Sequence, residues 1–514
     1  MTTESVCLRL LLGDQLNLNH SWFKQRDDHV LYVLMEMRQE TDYVLHHIQK
    51  VLAFFSAMRS FAQQLQRLGH RVLYLKLDDP DNTHSLTENL ARLIRLKHVT
   101  RFEYQLPDEY RLDQQLRQCC RSLAIPTATM DTEHFLADRT AVAEHFRGKK
   151  QYLLESFYRS MRRRYGILMN GNQPWGGAWN YDQQNREPYR GQVPVPEPLL
   201  FHNDVGNLKR LLAGMGVQTF GYHDGDQLIW PINREQAMAL LSFFVDHCLP
   251  YFGTYEDAMS KQHWSMFHSR LSFVLNTKML HPLEVVEAAV QEWQHNSDRI
   301  SLPQIEGFVR QIIGWREYMR GVYWAQMPDY ENLNFFEHER QLPHYYWDGQ
   351  TKMQCLRYCI EQSLHYAFAH HIQRLMITGN FALLAGVHPD EVDAWYLGIY
   401  LDAIQWVEIT NTRGMSQFAD GGLVATKPYV ATAKYIQRMS DYCEGCFYDA
   451  AKKYGTGACP FNSLYWAFYN RHRQKLEGNP RLGMMYRLWD RFAEVERCRI
   501  LEQAERYLDG IEEL

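Results

Sequence analysis

The sequence predicts an α/β domain followed by an all-helical one, and three observations carry that reading. The first ~135 residues alternate short apolar runs with helical stretches, the pattern of a doubly wound, Rossmann-like sheet. From residue 232 to residue 514 strand signals vanish and helical periodicity prevails, with Gly and Pro at the joints. Between the two, Asn170 to Leu199 is crowded with Gly, Pro, Asn and Trp, which marks a long ordered loop. The organisation expected is an α/β domain over 1–135, a connector over 136–231 and a helical domain over 232–514.

Val6 to Leu12 is an apolar run of strand length, turned outward by Gly13-Asp14-Gln15, and Val30 to Met37 reads as a second buried strand. Tyr43 to Leu68 has helical periodicity and stops at Gly69, a natural C-terminal cap. Val72 to Leu77 is a third strand, followed by a helical stretch beginning near Ser85. Ligands of such sheets sit beyond the carboxyl ends of the strands. Gly13, Asp14 and Gln15 occupy that place, yet no G-x-G-x-x-G follows, so a ligand smaller than a dinucleotide is expected there. Arg159, Arg162, Arg163 and Arg164, with Lys149 and Lys150 close by, form the strongest basic cluster, read either as a solvated helix face or as a phosphate contact.

At 514 residues and 60.9 kDa the chain is long enough for two or three domains. A net charge of −5 gives no general attraction to nucleic acid, so any DNA contact must come from a local patch. There is no apolar run of membrane-spanning length and no basic-then-apolar leader, which sets the expectation of a cytoplasmic, non-membrane protein, monomeric by default. The 31 Tyr, 25 Phe and 13 Trp suit stacking surfaces or electron relays as well as a large helical core.

Ten cysteines in a chain of this length do not make a disulfide scaffold. Cys443, Cys446 and Cys459 form a C-x2-C-x12-C run, with Pro460 after the last and Cys355 upstream. Thiolates hold Zn²⁺ or an iron–sulfur cluster, and the spacing does not separate the two. Cys7, Cys119, Cys120, Cys248 and Cys498 read as inert thiols. In the same helical half, His268-Ser269-Arg270-Leu271-Ser272 places hydroxyls and backbone N–H groups at an expected helix start, an anion site or an ordinary cap. His370, His371 and Arg374 share one short string, and His371 and Arg374 share a helix face. Asp402 and Glu408 flank an aromatic stretch that leads into Asn411.

Taken together, GFVRQIIGWREYMRG (Gly307–Gly321), AHHIQRLMITGNFALLAG (Ala369–Gly386) and GMSQFADGG (Gly414–Gly422) resemble the photolyase/cryptochrome family. The cysteines pick out its iron–sulfur bacterial branch, the prokaryotic (6-4) photolyases, and the resemblance runs from Gly13-Asp14-Gln15-Leu16 to the cysteine run. It implies the photolyase/cryptochrome fold, FAD bent in the helical domain, and a structural [4Fe–4S] cluster on Cys355, Cys443, Cys446 and Cys459, with Cys359 spare. Ser269, Leu271 and Ser272 would wrap the flavin pyrophosphate, and Gln311, Arg374, Asp402, Glu408 and Asn411 would complete the flavin site. Glu408 stands where many relatives carry Asn. Trp395, Tyr396 and Trp347 match the branch's photoreduction relay. His371, beside His370, matches the histidine placed against the photoproduct, a group able to move a proton near neutral pH.

The same resemblance makes Leu375 and Met415 walls of the lesion cleft, Arg162 and Arg163 contacts to UV-damaged DNA, and Gly13, Asp14, Gln15, Glu40 and Phe54 the pocket of an antenna. That antenna would be 6,7-dimethyl-8-ribityllumazine, with a deazaflavin as the alternative. Mg²⁺ is a further candidate, since Asp182 and Asp257 could join an acidic site; surface carboxylates are the plainer reading. The activity implied is blue-light repair of (6-4) photoproducts. Its rivals are a blue-light receptor that repairs nothing and a light-independent nucleic-acid binder, since the cluster domain also resembles the primase large subunit.

Overall fold

A computed structural model describes residues 6–514. Five parallel strands, β1 (Val6–Leu10), β2 (Val30–Met35), β3 (Arg71–Leu75), β4 (Val99–Gln105) and β5 (Thr127–Met130), form a sheet in the order β3-β2-β1-β4-β5. Leu10 pairs with Val33 of β2 on one side and Tyr104 of β4 on the other. Helices α1 (Ile48–Arg67), α2 (Leu86–Leu96) and α3 (Tyr110–Ser122) supply the crossovers. Every residue of β2 is buried, as a parallel strand covered on both faces must be.

The pleat sends alternate residues to two different cores. Leu8, Leu10 and Val33 pack under α2 and α3 with Leu90 and Leu116. Leu11 and Leu34 face α1 with Val51 and Phe55, and this second core continues without a break into the helical half through Val274, Leu280 and Trp406.

The structure departs from the sequence reading most at one helix start and at two strands. The first long helix begins at Ile48, not Tyr43, because His46–His47 pair with Thr219–Phe220 as a short ladder and the His47 ring accepts the Gln49 N–H as a cap. β4 alternates polar and apolar residues and β5 is short and half-exposed, so neither announces itself as an apolar run.

The region after β5 contains helix α4 (Leu154–Tyr165) and several two-residue ladders before the helical half begins. There, α5 spans 302–326, α6 is Gln354–Tyr366, α7 spans 371–385, α8 is Pro389–Ile399, α9 spans 405–416, α10 is Pro460–Arg471 and α11 is Glu494–Asp509. Three of these contain a widened π segment: Arg310–Arg316 in α5, Arg374–Gly379 in α7 and Thr410–Ser416 in α9. Such segments recur at functional sites because they re-aim side chains within a continuous helix. The segments of α7 and α9 lie against each other. Their approach needs glycine at 379, where a Cβ would fall 2.1 Å from Ser416 Oγ.

A buried charge network closes the seam between the two halves. Lys278 Nζ lies 2.8 Å from Asp14 and 3.0 Å from Asp108, and Arg320 Nε donates to the other oxygen of Asp108 at 3.1 Å. The Glu317 carboxylate accepts from the N–H groups of Leu136 and Ala137 at 3.0 Å each. Charges at this depth persist only when paired in this way.

Candidate functional site

Three groups of sequence-predicted residues meet in three places. The first is a cleft in the helical half, where α7, α8 and α9 converge. Arg374 opens the π segment of α7, and its guanidinium grips Asp402 with two parallel bonds of 3.0 and 3.2 Å. Its Nε donates to the Ala369 carbonyl at 2.7 Å, and the same group lies 3.7 Å above the Tyr400 ring. Asn276 donates to the Asp402 carbonyl at 2.8 Å, which ties this pair to the helix that follows Ser269, Leu271 and Ser272. Leu271 is buried and Ser269 Oγ accepts from its N–H at 3.4 Å, a local cap.

Glu408, on the first turn of α9, is buried, and Thr412 donates to it at 2.5 Å. Burial first, and the nearby Asp393 second, push its pKa well above the ordinary carboxyl value. Gln311 and Asn411 donate to the carbonyls of Gly307 and Val407 on their own helices. Leu375 and Met415 are buried on the two facing π segments.

His370 and His371 start α7. His370 is buried, stacks on His268 with ring centroids 4.4 Å apart, and neither of its ring nitrogens has a protein partner among the described residues. His371 is exposed at the start of the helix. Desolvation, then the Arg374 and Arg186 cations, lower its pKa to about 4, so it is neutral at pH 7 in the chain by itself.

Trp395 is fully buried. Its ring contacts are Tyr346 at 5.1 Å, Tyr396 at 5.3 Å and Tyr400 at 5.9 Å. Trp395 Nε1 donates to the Tyr346 carbonyl at 2.9 Å, the peptide that leads directly into Trp347. Tyr396 Oη bonds to the Arg374 carbonyl at 2.6 Å. Trp347 is half-buried, edge-on to Phe220 at 5.0 Å. The aromatic side chains therefore run from Arg374 outward. Tyr400 and Tyr346 belong to the same run and were not singled out in the sequence, although Tyr396 and Tyr400 are four residues apart on one helix.

Two expectations on the basic side need correction. Arg162 is fully buried, and its guanidinium donates to the carbonyls of Ile167, Leu168 and Trp179. It fastens the loop after α4 and faces no phosphate. Arg163 is exposed and lies 4.7 Å over Trp179. Asp182 and Asp257 gather with Glu256 around Arg186, at 3.4, 3.8 and 3.2 Å, so a cation of the protein already holds the acidic cluster.

The second place is a cavity lined by Cys355 of α6, Cys443 and Cys446 of the following loops, and Cys459 at the start of α10, with Tyr442, Tyr448 and Phe461 around them. Cys359 lies one turn further along α6 and does not line it. Burial raises the thiol of Cys443 to about 11 and that of Cys459 to about 12, so these sulfurs are protonated in the chain by itself. No three His, Cys, Asp or Glu side chains among the described residues converge tightly enough for a single ion. The four thiols offer a ring around a space, a donor set that fits a cluster.

The third place is a cavity of about 140 Å³ at the carboxyl ends of β1, β2 and β4, lined by Gly13, Asp14, Glu40 and Phe54 and closed from the helical half by Ala403 and Ile404. Gln15 does not line it. Its side chain is buried, accepting from the Leu12 N–H at 3.0 Å and donating to the Gln105 carbonyl at 3.3 Å, so it stitches β1 to β4. Glu40 pairs with Arg111 at 2.8 Å, and Asp14 belongs to the seam network.

Comparison with known proteins gives these places a context. Residues 9–228 match the family model described as deoxyribodipyrimidine photo-lyase-related protein. A (6-4) photolyase of Agrobacterium fabrum is 42% identical over 513 residues, covering 98% of this chain and 99% of that protein. An uncharacterized mimivirus protein, R855 of Acanthamoeba polyphaga mimivirus, is 33% identical over 116 residues, 23% of this chain and 85% of its own. Among solved structures, a bacterial class III photolyase from Agrobacterium tumefaciens superposes with a TM-score of 0.54 at 15% identity, over 84% of this chain and 82% of that one. A Synechocystis sp. PCC6803 cryptochrome gives 0.55 at 12% identity, over 85% and 86%. These two likenesses speak to the fold. The end-to-end identity with the Agrobacterium fabrum enzyme speaks to the family, and this chain belongs to the prokaryotic (6-4) photolyases of the photolyase/cryptochrome family.

Proposed function

We propose that this chain is a DNA-repair lyase that uses blue light to restore two pyrimidines from a (6-4) photoproduct. The observation that carries the reading is the 42% identity to a (6-4) photolyase across 98% of the chain. The proposal gives each of these residues a task that its surroundings support. FAD, held in the helical cleft by Ser269, Leu271, Ser272, Gln311, Arg374, Asp402, Glu408 and Asn411, supplies the light-driven electron when reduced. Arg374, fixed by Asp402 and by the Ala369 carbonyl, puts a cation where a reduced, negative ring needs one. Glu408, buried and held by Thr412, would hydrogen-bond to that ring.

His371 stands at the rim as the acid that moves a proton between the two bases. It is neutral in the chain by itself, so the acid form must be created by negative charge brought into the cleft. Phosphates flanking an extruded lesion do this: an anion beside an imidazole raises its pKa. Leu375 and Met415 form the apolar wall, and Arg163 with other exposed bases would supply the salt-dependent share of affinity. Trp395, Tyr396 and Trp347 carry the electron that first reduces the flavin.

Cys355, Cys443, Cys446 and Cys459 hold a [4Fe–4S] cluster that clamps α6 to α10, and the strand-end cavity holds 6,7-dimethyl-8-ribityllumazine. Mg²⁺ is left out of the proposal, because Arg186 and Arg310 already occupy the space among Asp182, Glu256 and Asp257.

The test is repair of an oligonucleotide carrying one (6-4) photoproduct by pre-reduced protein, in blue light and in darkness. Restoration only in light is expected. In the same assay Trp395→Phe should repair as well as the parent once chemically reduced, while failing to reduce its flavin by light.

A further inference from the structure

Lys50, on the first turn of α1, lies in the wall of the strand-end cavity and is only 5% exposed. Its ammonium makes one hydrogen bond, to the Leu397 carbonyl at 2.6 Å, and has no ion-pair partner among the described residues. Two other cations buried at this seam are different: Lys278 has Asp14 and Asp108, and Arg320 has Asp108. A buried ammonium with donors to spare is costly unless something in the cavity accepts from it. His46, four residues earlier and lining the same cavity, is buried with Nδ1 unpartnered. Two polar groups with free hydrogen-bonding capacity thus border one space that is also lined by apolar side chains, among them Met35, Phe54 and Leu112. That combination suits a flat conjugated heteroaromatic ring with carbonyl or imide acceptors along one edge.

We propose that Lys50 is the recognition residue of this cavity, its ammonium donating to a ring carbonyl or an anionic ring atom of the bound chromophore. The inference rests on the reading of the cavity as an antenna site. It adds a consequence that the fold dictates. Burial depresses the Lys50 pKa to about 7, while Asp402, Glu408 and Glu109 act in the opposite direction. An acceptor in the cavity stabilises the ammonium, so binding draws a proton onto Lys50 above that pH and weakens as pH rises. Because Asp402 pairs with Arg374, the charge on Lys50 is felt at the flavin side of the seam as well.

Other titratable groups share the space: Tyr43, His46 and Glu40 on the side of α1, and Asp14, Asp108 and Glu109 on the side of the strands. Glu109 also titrates near 7, since burial raises it. A substitution is therefore needed to assign the proton.

The experiment uses full-length protein freed of its chromophore, titrated with 6,7-dimethyl-8-ribityllumazine. Wild-type and Lys50→Met proteins are compared by fluorescence and by calorimetry at about pH 8 in buffers of different ionisation enthalpy. The expected results are uptake of up to one proton by the wild type, and a Kd raised at least tenfold in Lys50→Met with that uptake abolished. Flavin content reports whether the variant is folded; should it not be, Lys50→Gln is compared with the wild type in the same two measurements. Equal affinity and equal proton uptake in the two proteins, or no uptake by the wild type, would overturn the role of Lys50. No binding of the lumazine by wild-type protein would overturn the antenna reading and this inference with it.

Discussion

Two arginines one residue apart illustrate what a single side chain's surroundings decide. Arg162 and Arg163 look alike in the sequence, as members of one basic cluster, but only the second reaches solvent. Arg162→Ala removes three buried donors from backbone carbonyls and is expected to cost about 2–4 kcal/mol of stability. DNA affinity of the folded fraction should hardly change. Arg163→Ala should leave the melting temperature in place, and should lower DNA affinity with a salt slope smaller by about 1. Thermal unfolding and binding titrations at several salt concentrations separate the two. The site residues named from the resemblance came from local strings, and local strings record neighbours along the chain. They could not reveal that Gln15 turns back to bond β4, ninety residues on, or that Lys50 ends in a cavity closed by Ala403.

Among the elements, α7 and α8 matter most to the cleft. α7 begins with the two histidines, widens at Arg374, and ends at Gly386; α8 supplies Trp395 and Tyr396 and borders the seam. Gly398 of α8 faces the Leu45 carbonyl so closely that a Cβ would fall 2.2 Å from that oxygen. Backbone cannot yield as a side-chain tip can, so Gly398→Ala is expected to destabilise by about 1–3 kcal/mol. It should also loosen flavin binding, measured as FAD retained after gel filtration. Replacing any one of the four cysteines with Ser should cost soluble protein before it costs chemistry, because α6 and α10 lose their tie. Expression yield and iron content together check this. The strands β1 to β3 and helices α1 and α2 were legible because their apolar runs match the period of their element. β4 and β5 were not, since an alternating strand and a short edge strand carry weak signals. The three π segments had no signal at all, since a widened turn leaves the apolar spacing of its helix unmarked.

For the whole molecule, the seam and the buried titratable groups set the response to acid. Burial lowers the pKa of His47 to about 4 and of His268, His338 and His472 to about 3, so each favours folding above 6.5 and loses that contribution as pH falls. Burial raises Glu109 and Glu256 to about 7, which works the other way, gaining stability as pH falls towards their unfolded value of 4.5. Between about pH 6.5 and 4.5 the four histidines outweigh the two carboxyls, so the melting temperature should fall gently as pH falls. Below 4.5 the raised carboxyls no longer contribute a slope. The histidines still do, joined by Asp108, which Lys278 and Arg320 hold down at about 2 against the opposing effect of burial. A steep fall is therefore expected below that point, shallower in Asp108→Asn once its lower starting stability is allowed for. Two domains, and the order in which they come, could be read from the sequence. The shared core and the charged seam could not, because they join residues hundreds of positions apart.

The central claim is that this chain repairs (6-4) photoproducts by light and that His371 moves the proton. The most direct test is a single-turnover repair assay on an oligonucleotide with one (6-4) lesion, with pre-reduced wild-type and His371→Ala proteins of equal flavin content, each in blue light and in darkness. Light-dependent restoration by the wild type, with a loss of at least a hundredfold in His371→Ala, is the result predicted. Repair by the variant at the wild-type rate, or no repair by a flavin-loaded wild type, would contradict the account.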